Sequence, residues 1–560
     1  MLILRSYFIC LLFVLSFSAM AEQTQALPPI AAIASAHPLA TDAGHEILAR
    51  GGNAFDAAIA ITATLAVVEP YSSGLGGGGF WLLHRDKDNK DIMIDGRERA
   101  PLAASRDMYL DVKGNVIPGQ SINGPLAAGI PGVPAAIVHL AKHYGRLSLK
   151  QSLAPAIKIA QQGFAVDSHY QRYASMRLQT LRQSSAAARV FLDKGNVPGI
   201  GFIIKQPDLA RTLELIANKG RAGFYSGKLA DTLVKGVRTA GGIWTSADFE
   251  KYRVVERQPI RSRYRGMEIV SVSPPSSGGI AIATVLNILS GYDLARHNRV
   301  ERSHLIIEAM RRAYRDRAEF LGDSDYVRVP VQKLTSIVHA SHLRSSIKTD
   351  KATASDSLPP AVAPDNKGRD TTHFSILDRK GNRVAATLSI NYLFGSGFMV
   401  PGTGVVLNDE MDDFSAKPGT PNVYGLVGAE ANAIAPGKRP LSSMSPTFLV
   451  TNDRVAILGT PGGSRIISMV LLAALDFING GSADSMVNIP RFHHQYLPDV
   501  VQFEKKAFTE KEIEALQRKG HKTRMQAGTY GNMQVVVWDR KHNQLDAASD
   551  PRGIGKAVVK

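Results

Sequence analysis

Apolar residues recur at helical spacing from Thr41 to Arg50, where Gly51-Gly52 closes the pattern, and a second, more apolar helix begins at Asn53 or Asp56. Ala57–Val68 and Ser468–Ile478 are apolar throughout but too short to span a bilayer, which predicts buried helices. A Gly-rich loop, Tyr71–Gly79, leads into a short strand at Phe80–His84, and residues 91–132 are mixed and loop-rich. Helical text dominates from Val133 to about Arg238 and again over 278–321, while residues 338–370 read as a polar, Pro-containing linker. Beyond the linker the period changes to two. Thr371–Leu377 and Arg383–Ile390 predict a hairpin turning at Lys380-Gly381-Asn382, with further strands at 405–407, 447–450, 455–458 and 533–538. Helices return at 466–479 and 510–519. Strands and helices alternate without a βαβ rhythm, so stacked layers are expected rather than a doubly wound sheet.

At 560 residues, with 44% hydrophobic and 21% charged positions, the chain is an ordinary globular sequence with material for a large core. Residues 1–21 read as a secretory signal: Arg5, an apolar run over 10–17, and Ala19-Met20-Ala21 at the cleavage site. Its removal would also remove Cys10, the single cysteine, so disulfides and thiolate metal sites are excluded from the mature chain. The expectation is an exported protein with no membrane anchor, in the periplasm or else secreted. The net charge of +17 is concentrated before residue 371, with Arg-rich helical text over 299–317. No nucleic-acid motif accompanies it, and the excess reads as solvated surface.

Several segments carry candidate chemistry. Thr371 follows Asp370 at the head of a strand. Cut at that bond, the threonine would hold a hydroxyl nucleophile and an α-amine titrating near pH 8, one residue supplying nucleophile and base. By themselves residues 371–390 make a plain hairpin. Gly74–Gly79 matches G-x-G-x-x-G but follows a helix and opens a strand, the reverse of a dinucleotide loop, so close backbone approach is the better reading. Arg97 offers a planar fork suited to a carboxylate. The 407–414 segment crowds Asp409, Glu410, Asp412 and Asp413 together without calcium-loop spacing. Ser442-Ser443 supplies paired hydroxyls in a Pro-bounded loop, and Gly462-Gly463, between a strand and a helix, can aim two N–H groups at one point. His493-His494 lacks a third metal ligand at suitable spacing.

These segments, in one order, resemble γ-glutamyltranspeptidase, a family of N-terminal nucleophile hydrolases. The likeness runs from Ser35-Ala36-His37-Pro38-Leu39 through Asn53–Ala58, Val68-Glu69-Pro70 and Ile306–Tyr314 to Ala548–Arg552. It implies an α+β fold, a four-layer αββα sandwich, and a precursor that cuts itself between Asp370 and Thr371. Residues 22–370 would form a large subunit and 371–560 a small one, remaining associated in one composite domain. The resemblance assigns Thr371 as nucleophile and Gly462 and Gly463 as the oxyanion hole. It assigns Arg97, Ser442 and Ser443 to the α-carboxylate of a glutamyl group, and Asn391, Glu410 and Asp413 to its α-ammonium. Ser389 stands where the family usually has a second threonine, with the hydroxyl kept. Residues 416–428 match a lid loop, with Tyr424 as its gate. No cofactor or metal is implied; the expected partners are glutathione, other γ-glutamyl compounds, and amino acid or dipeptide acceptors.

Three alternatives stand beside this reading. A cephalosporin (glutaryl) acylase on the same scaffold would leave Asp413 unpaired when its substrate binds. A relative that cleaves γ-polyglutamate would be hindered by the lid. An uncleaved, non-enzymatic envelope-binding protein would have no use for the full set of residues.

Overall fold

The computed structural model describes residues 27–358 and 371–560; the predicted signal, Asp370 and the end of the predicted linker lie outside them. Two antiparallel sheets stack face to face. The first runs, in spatial order, Lys556–Val559, Ala32–Ser35, Thr372–Leu377, Arg383–Ser389, Gly78–Arg85, Lys90–Asp95 and Val255–Arg257. The second runs Gln544–Ser549, Gln534–Asp539, Arg454–Gly459, Thr447–Val450, Met267–Ser271 and Ile260–Tyr264. Strands from either side of residue 370 therefore interleave in the first sheet and meet at one junction, Thr447–Val450 with Met267–Ser271, in the second.

Period-two alternation explains the layering, because successive side chains leave a strand on opposite faces. Ala385, Leu377, Ile457, Val536 and Trp538 fill the space between the sheets. Val384, Ala386 and Ile376 turn the other way, into a core shared with helix Ala54–Val68. On the second sheet, Ala456, Leu458, Val535 and Val537 turn outward to helices Gly278–Leu289, Arg299–Phe320 and Ile466–Ile478. The result is the four-layer αββα sandwich. Helix Ala54–Val68 is buried at every position, as its unbroken apolar run predicts, and Asn53 and Asp56 close its N-terminus in a reciprocal capping box. The preceding helix starts earlier than the periodicity shows, at Pro38, capped by His37.

The structure corrects several expectations. The described part of the predicted linker carries regular structure: Ile337–Ser345 is a helix capped by Ser336. Thr353 and Ser355 then hydrogen-bond to Glu308 and Asp499. These two residues answer charged side chains of the body, while polar residues over 341–351 are mostly exposed. Residues 405–407 make only isolated bridges, Gly76 with Leu407 and Val406 with Met399, because they run beside the Gly-rich loop instead of a strand. The Arg-rich helix is not solvated surface. Arg311, Arg312 and Arg317 are buried, the first two gripping Glu308 at 3.2 and 2.7 Å.

The Gly-rich loop is a site of close backbone approach. A Cβ at Gly76 would strike the carbonyl of Val406, and one at Gly77 the carbonyl of Ser389. Both obstacles are backbone and cannot swing away. Gly77→Ala is expected to cost about 3 kcal/mol in chemical denaturation, whereas Gly241→Ala, facing open space at φ +94°, should cost only about 1 kcal/mol for its left-handed backbone.

Candidate active site

Thr371 precedes strand Thr372–Leu377 at the end of the first sheet. The neighbouring strand pairs Leu388 with Thr372, so Ser389 lies beside Thr371. The Thr372 hydroxyl donates to the Glu69 carboxylate at 2.6 Å, on the face opposite to Thr371. On the Thr371 face His373 is wedged between the sheets, bonded to Thr387 at 2.8 Å and Ser375 at 3.2 Å, with its ring against Gly459. From Gly459 the second sheet's chain runs on to Gly462, whose N–H donates to Thr371 Oγ1 at 3.2 Å. Gly462 and Gly463 have φ of 144° and 56°, values that turn the chain toward the threonine before helix Ile466–Ile478 begins.

Beside Thr371 lies a cavity whose walls include Ser389, Asn391, Arg97, Glu410, Asp413, Ser442, Ser443, Tyr424 and Gly463. All the site residues predicted from the sequence converge there except Asp370, which is not described, and Gly462, which lines an adjoining cavity that also touches Thr371. The Arg97 guanidinium donates to Glu410, to Asp413 at 2.6 Å and to the Pro440 carbonyl at 3.2 Å. Tyr424 packs its ring on Gly463 and donates its hydroxyl to the Asn391 carbonyl at 2.5 Å. Asn422, in the same loop, donates to Asp413 at 2.9 Å, so residues 416–428 close one side of the cavity.

The cavity is dense with buried charge. Burial opposes ionisation of Arg97, but Glu410, Asp413 and Glu98 outweigh it and hold the guanidinium above its ordinary range. Burial raises the carboxyls of Glu410 and Asp413 while Arg97 pulls them down. Glu98 is fully buried, its oxygens have no hydrogen-bond partner among the described residues, and its nearest guanidinium atom is 3.8 Å away. Burial, then the charge of Glu410, pushes it far above the carboxylate range. The three acids thus crowd one guanidinium, and Glu98 is held furthest from ionisation. On the other side of Thr371 burial pushes Glu69 up to about 7.

Glu69, Glu98 and Arg317 have no role in the sequence reading. Glu69 and Glu98 adjoin residues that were singled out, but acidity alone does not distinguish a buried acid from a surface one. His493 and His494 are buried and spent on Ser468 at 2.8 Å and Asp499 at 3.1 Å. His304, Glu308 and His521 cluster closely enough to hold a metal. Glu308, however, is committed to Arg311, Arg312 and Thr353, and the two imidazoles bond each other at 2.8 Å.

A family model described as gamma-glutamyltranspeptidase matches residues 40–560. The chain belongs to the γ-glutamyltranspeptidase family. It is 44% identical over 479 residues to the glutathione hydrolase proenzyme of Pseudomonas sp. strain A14, a match covering 84% of this chain and 83% of the relative. Among solved structures, cephalosporin acylase from Bacillus halodurans superposes with a TM-score of 0.83 at 29% identity, over 98% of this chain and 99% of the acylase. The γ-glutamyltranspeptidase of Helicobacter pylori gives a TM-score of 0.57 at 38% identity, over 60% of this chain and 95% of its own. The fold, the family and its enzymatic character agree with the sequence reading.

The electrostatics make a specific demand on Glu98. A neutral buried carboxyl is matched in shape and charge by an amide, so Glu98→Gln should stay within about 1 kcal/mol of wild type in chemical denaturation. Glu98→Ala leaves a cavity beside Arg97 and should lose about 2–3 kcal/mol.

Proposed function

We propose that the chain is a self-cleaving γ-glutamyltransferase and glutathione hydrolase. The observation that carries the reading is that Thr371, with the Gly462 N–H on its hydroxyl, opens onto one cavity holding both Arg97 and the Glu410–Asp413 pair. A glutamyl head is a zwitterion. Its α-carboxylate would lie on Arg97, Ser442 and Ser443, and its α-ammonium on Asn391, Glu410 and Asp413. With both ends fixed, the γ-carbonyl is left facing Thr371, and binding energy becomes orientation.

In maturation the Thr371 hydroxyl attacks the Asp370 carbonyl, the peptide C–N bond breaks as an ester forms and frees the α-amine, and water then cleaves the ester to release the Asp370 carboxylate and the Thr371 hydroxyl. Residues 22–370 and 371–560 remain together as large and small subunits. In turnover the α-amine takes the Thr371 hydroxyl proton as Oγ bonds to the γ-carbonyl carbon. The N–H groups of Gly462 and Gly463 receive the negative charge that develops on the carbonyl oxygen. The amide C–N bond breaks, the proton leaves with the amine, and a γ-glutamyl ester remains on Thr371. Water then yields glutamate, or an amino acid or dipeptide amine yields a new γ-glutamyl compound. Ser389 steadies the nucleophile. Tyr424 gates the loop over the head, and loop opening would release product. The name "proenzyme" of the Pseudomonas relative supports maturation by cleavage, and the secretory signal read in residues 1–21 supports a periplasmic address.

Thr371→Ala should remain a single chain by intact-mass analysis and show no γ-glutamyl amidase activity, while wild type yields two pieces, one beginning Thr371-Thr372-His373. A Thr371→Ala protein that still splits before residue 371 would overturn the mechanism. The glutaryl acylase reading is separated by donor choice. Wild type should favour γ-glutamyl over glutaryl p-nitroanilide by ~100-fold or more in kcat/KM, because a glutaryl group lacks the α-ammonium that would meet Glu410 and Asp413. Asp413→Asn should narrow that ratio by about 10-fold.

A further inference from the structure

The cavity's charges do not balance within the residues that line it. Arg97 is already matched by Glu410 and Asp413, with Glu98 close behind. An arriving α-carboxylate therefore meets a guanidinium whose charge is spent. A second cation stands one residue further back. Arg317, on helix Arg299–Phe320, is only 4% exposed. Its Nε–H donates to Ser277 Oγ at 3.0 Å and its Nη2–H to Ser443 Oγ at 3.2 Å. Among the described residues no carboxylate lies within ion-pair distance of it. Burial pushes its guanidinium down to about 10. A buried cation without a partner is costly, and its retention calls for an anion that arrives from outside.

The hydrogen bonds show how that anion is met. Ser443 spends its oxygen lone pair on Arg317, so its own proton is free to point into the cavity. Ser277 accepts from Arg317 and donates to the Ser442 carbonyl at 2.7 Å, and its own N–H reaches the same carbonyl at 2.9 Å. One guanidinium thus fixes both members of the Ser442–Ser443 pair.

We propose that Arg317 is a positioning residue for the donor's α-carboxylate, acting through the Ser443 hydroxyl and supplying the positive charge that Arg97 has already given up. The inference rests on the γ-glutamyl reading of the cavity. With Arg317 counted, two guanidinium groups offset Glu410 and Asp413, and a zwitterionic head enters a balanced site. Without it, the head's carboxylate enters a site with one negative charge in excess.

The test compares kcat/KM for γ-glutamyl p-nitroanilide and for 4-aminobutyryl p-nitroanilide, which keeps the ammonium and lacks the α-carboxylate. Wild type should prefer the former by ~100-fold or more, since the charged contact is lost with the carboxylate. In Arg317→Met the preference should fall to within about 10-fold, mainly through KM for the γ-glutamyl donor. Arg317→Lys should restore it to within about 10-fold of wild type, because the charge returns without the fork. If Met is not tolerated, Arg317→Gln keeps a donor for Ser277, drops the charge, and should show the same collapse. A wild-type enzyme indifferent to the α-carboxylate would overturn the γ-glutamyl reading itself. A discriminating wild type whose Met or Gln variant loses both activities in parallel, leaving the ratio unchanged, would overturn the role of Arg317 alone.

Discussion

Strand Thr372–Leu377 is hydrogen-bonded along both edges, to Ala32–Ser35 and Arg383–Ser389, and buried on both faces. Everything chemical in the molecule depends on that confinement. Side chains leave a strand alternately up and down, so fixing His373 between the sheets also fixes the direction in which Thr371 points. His373 sits against Gly459 of the opposite sheet, and three residues on the same segment brings its N–H to the threonine hydroxyl. The Thr371 hydroxyl and the N–H that faces it are thus registered through sheet-on-sheet packing, a rigid connection between segments far apart in sequence. Burial keeps the His373 imidazole neutral, with its pKa lowered to about 3, so the wedge adds no charge beside the reacting groups.

Around this fixed point the site is assembled from groups that would be unstable alone. Arg97, Glu410, Glu98 and Arg317 are removed from water and Asp413 nearly so, and the Arg97–Glu410–Asp413 ion pairs are tolerable there only because each charge meets its opposite. A buried cluster of this kind is selective as well as adhesive. It demands a ligand with charges of both signs at one end, and it disfavours any ligand that supplies only one of them. The large Tyr424 ring over Gly463 adds a steric condition, since the loop that carries it also holds Asp413 through Asn422. Occupancy of the charged pocket and position of the loop are therefore mechanically joined.

Much of this was legible in the sequence where local chemistry is distinctive. The period-two text after residue 371, the capping pair Asn53 and Asp56, the four-glycine loop and the Gly462-Gly463 turn each describe a backbone requirement that few other residues satisfy. The clustering of Arg97 with Glu410 and Asp413 was legible only by resemblance, because nothing local joins positions more than 300 residues apart. Arg311, Arg312 and Arg317 were misread as surface because a helix of arginines looks alike whether its partners are water or buried acids. Glu308 accounts for the first two from within the helix, but Asp499, which completes the pairing of Arg311, lies far along the chain. Short strands such as Ala32–Ser35 and Val255–Arg257 escaped because their pairing comes from neighbours far away in sequence, and three or four residues carry no readable period.

The interleaving of strands across residue 370 has a consequence for the life of the molecule after a cut at that point. In the first sheet Ala32–Ser35 lies between Lys556–Val559 and Thr372–Leu377, and the second joins Met267–Ser271 to Thr447–Val450. Two fragments so joined cannot part along one seam; separating them means dismantling the first sheet and splitting the second. Once parted, they would have to find each other by diffusion, so that recovery becomes a second-order process diluted away at low concentration. A cut there would give a molecule whose endurance is set by the height of its unfolding barrier rather than by the depth of its minimum.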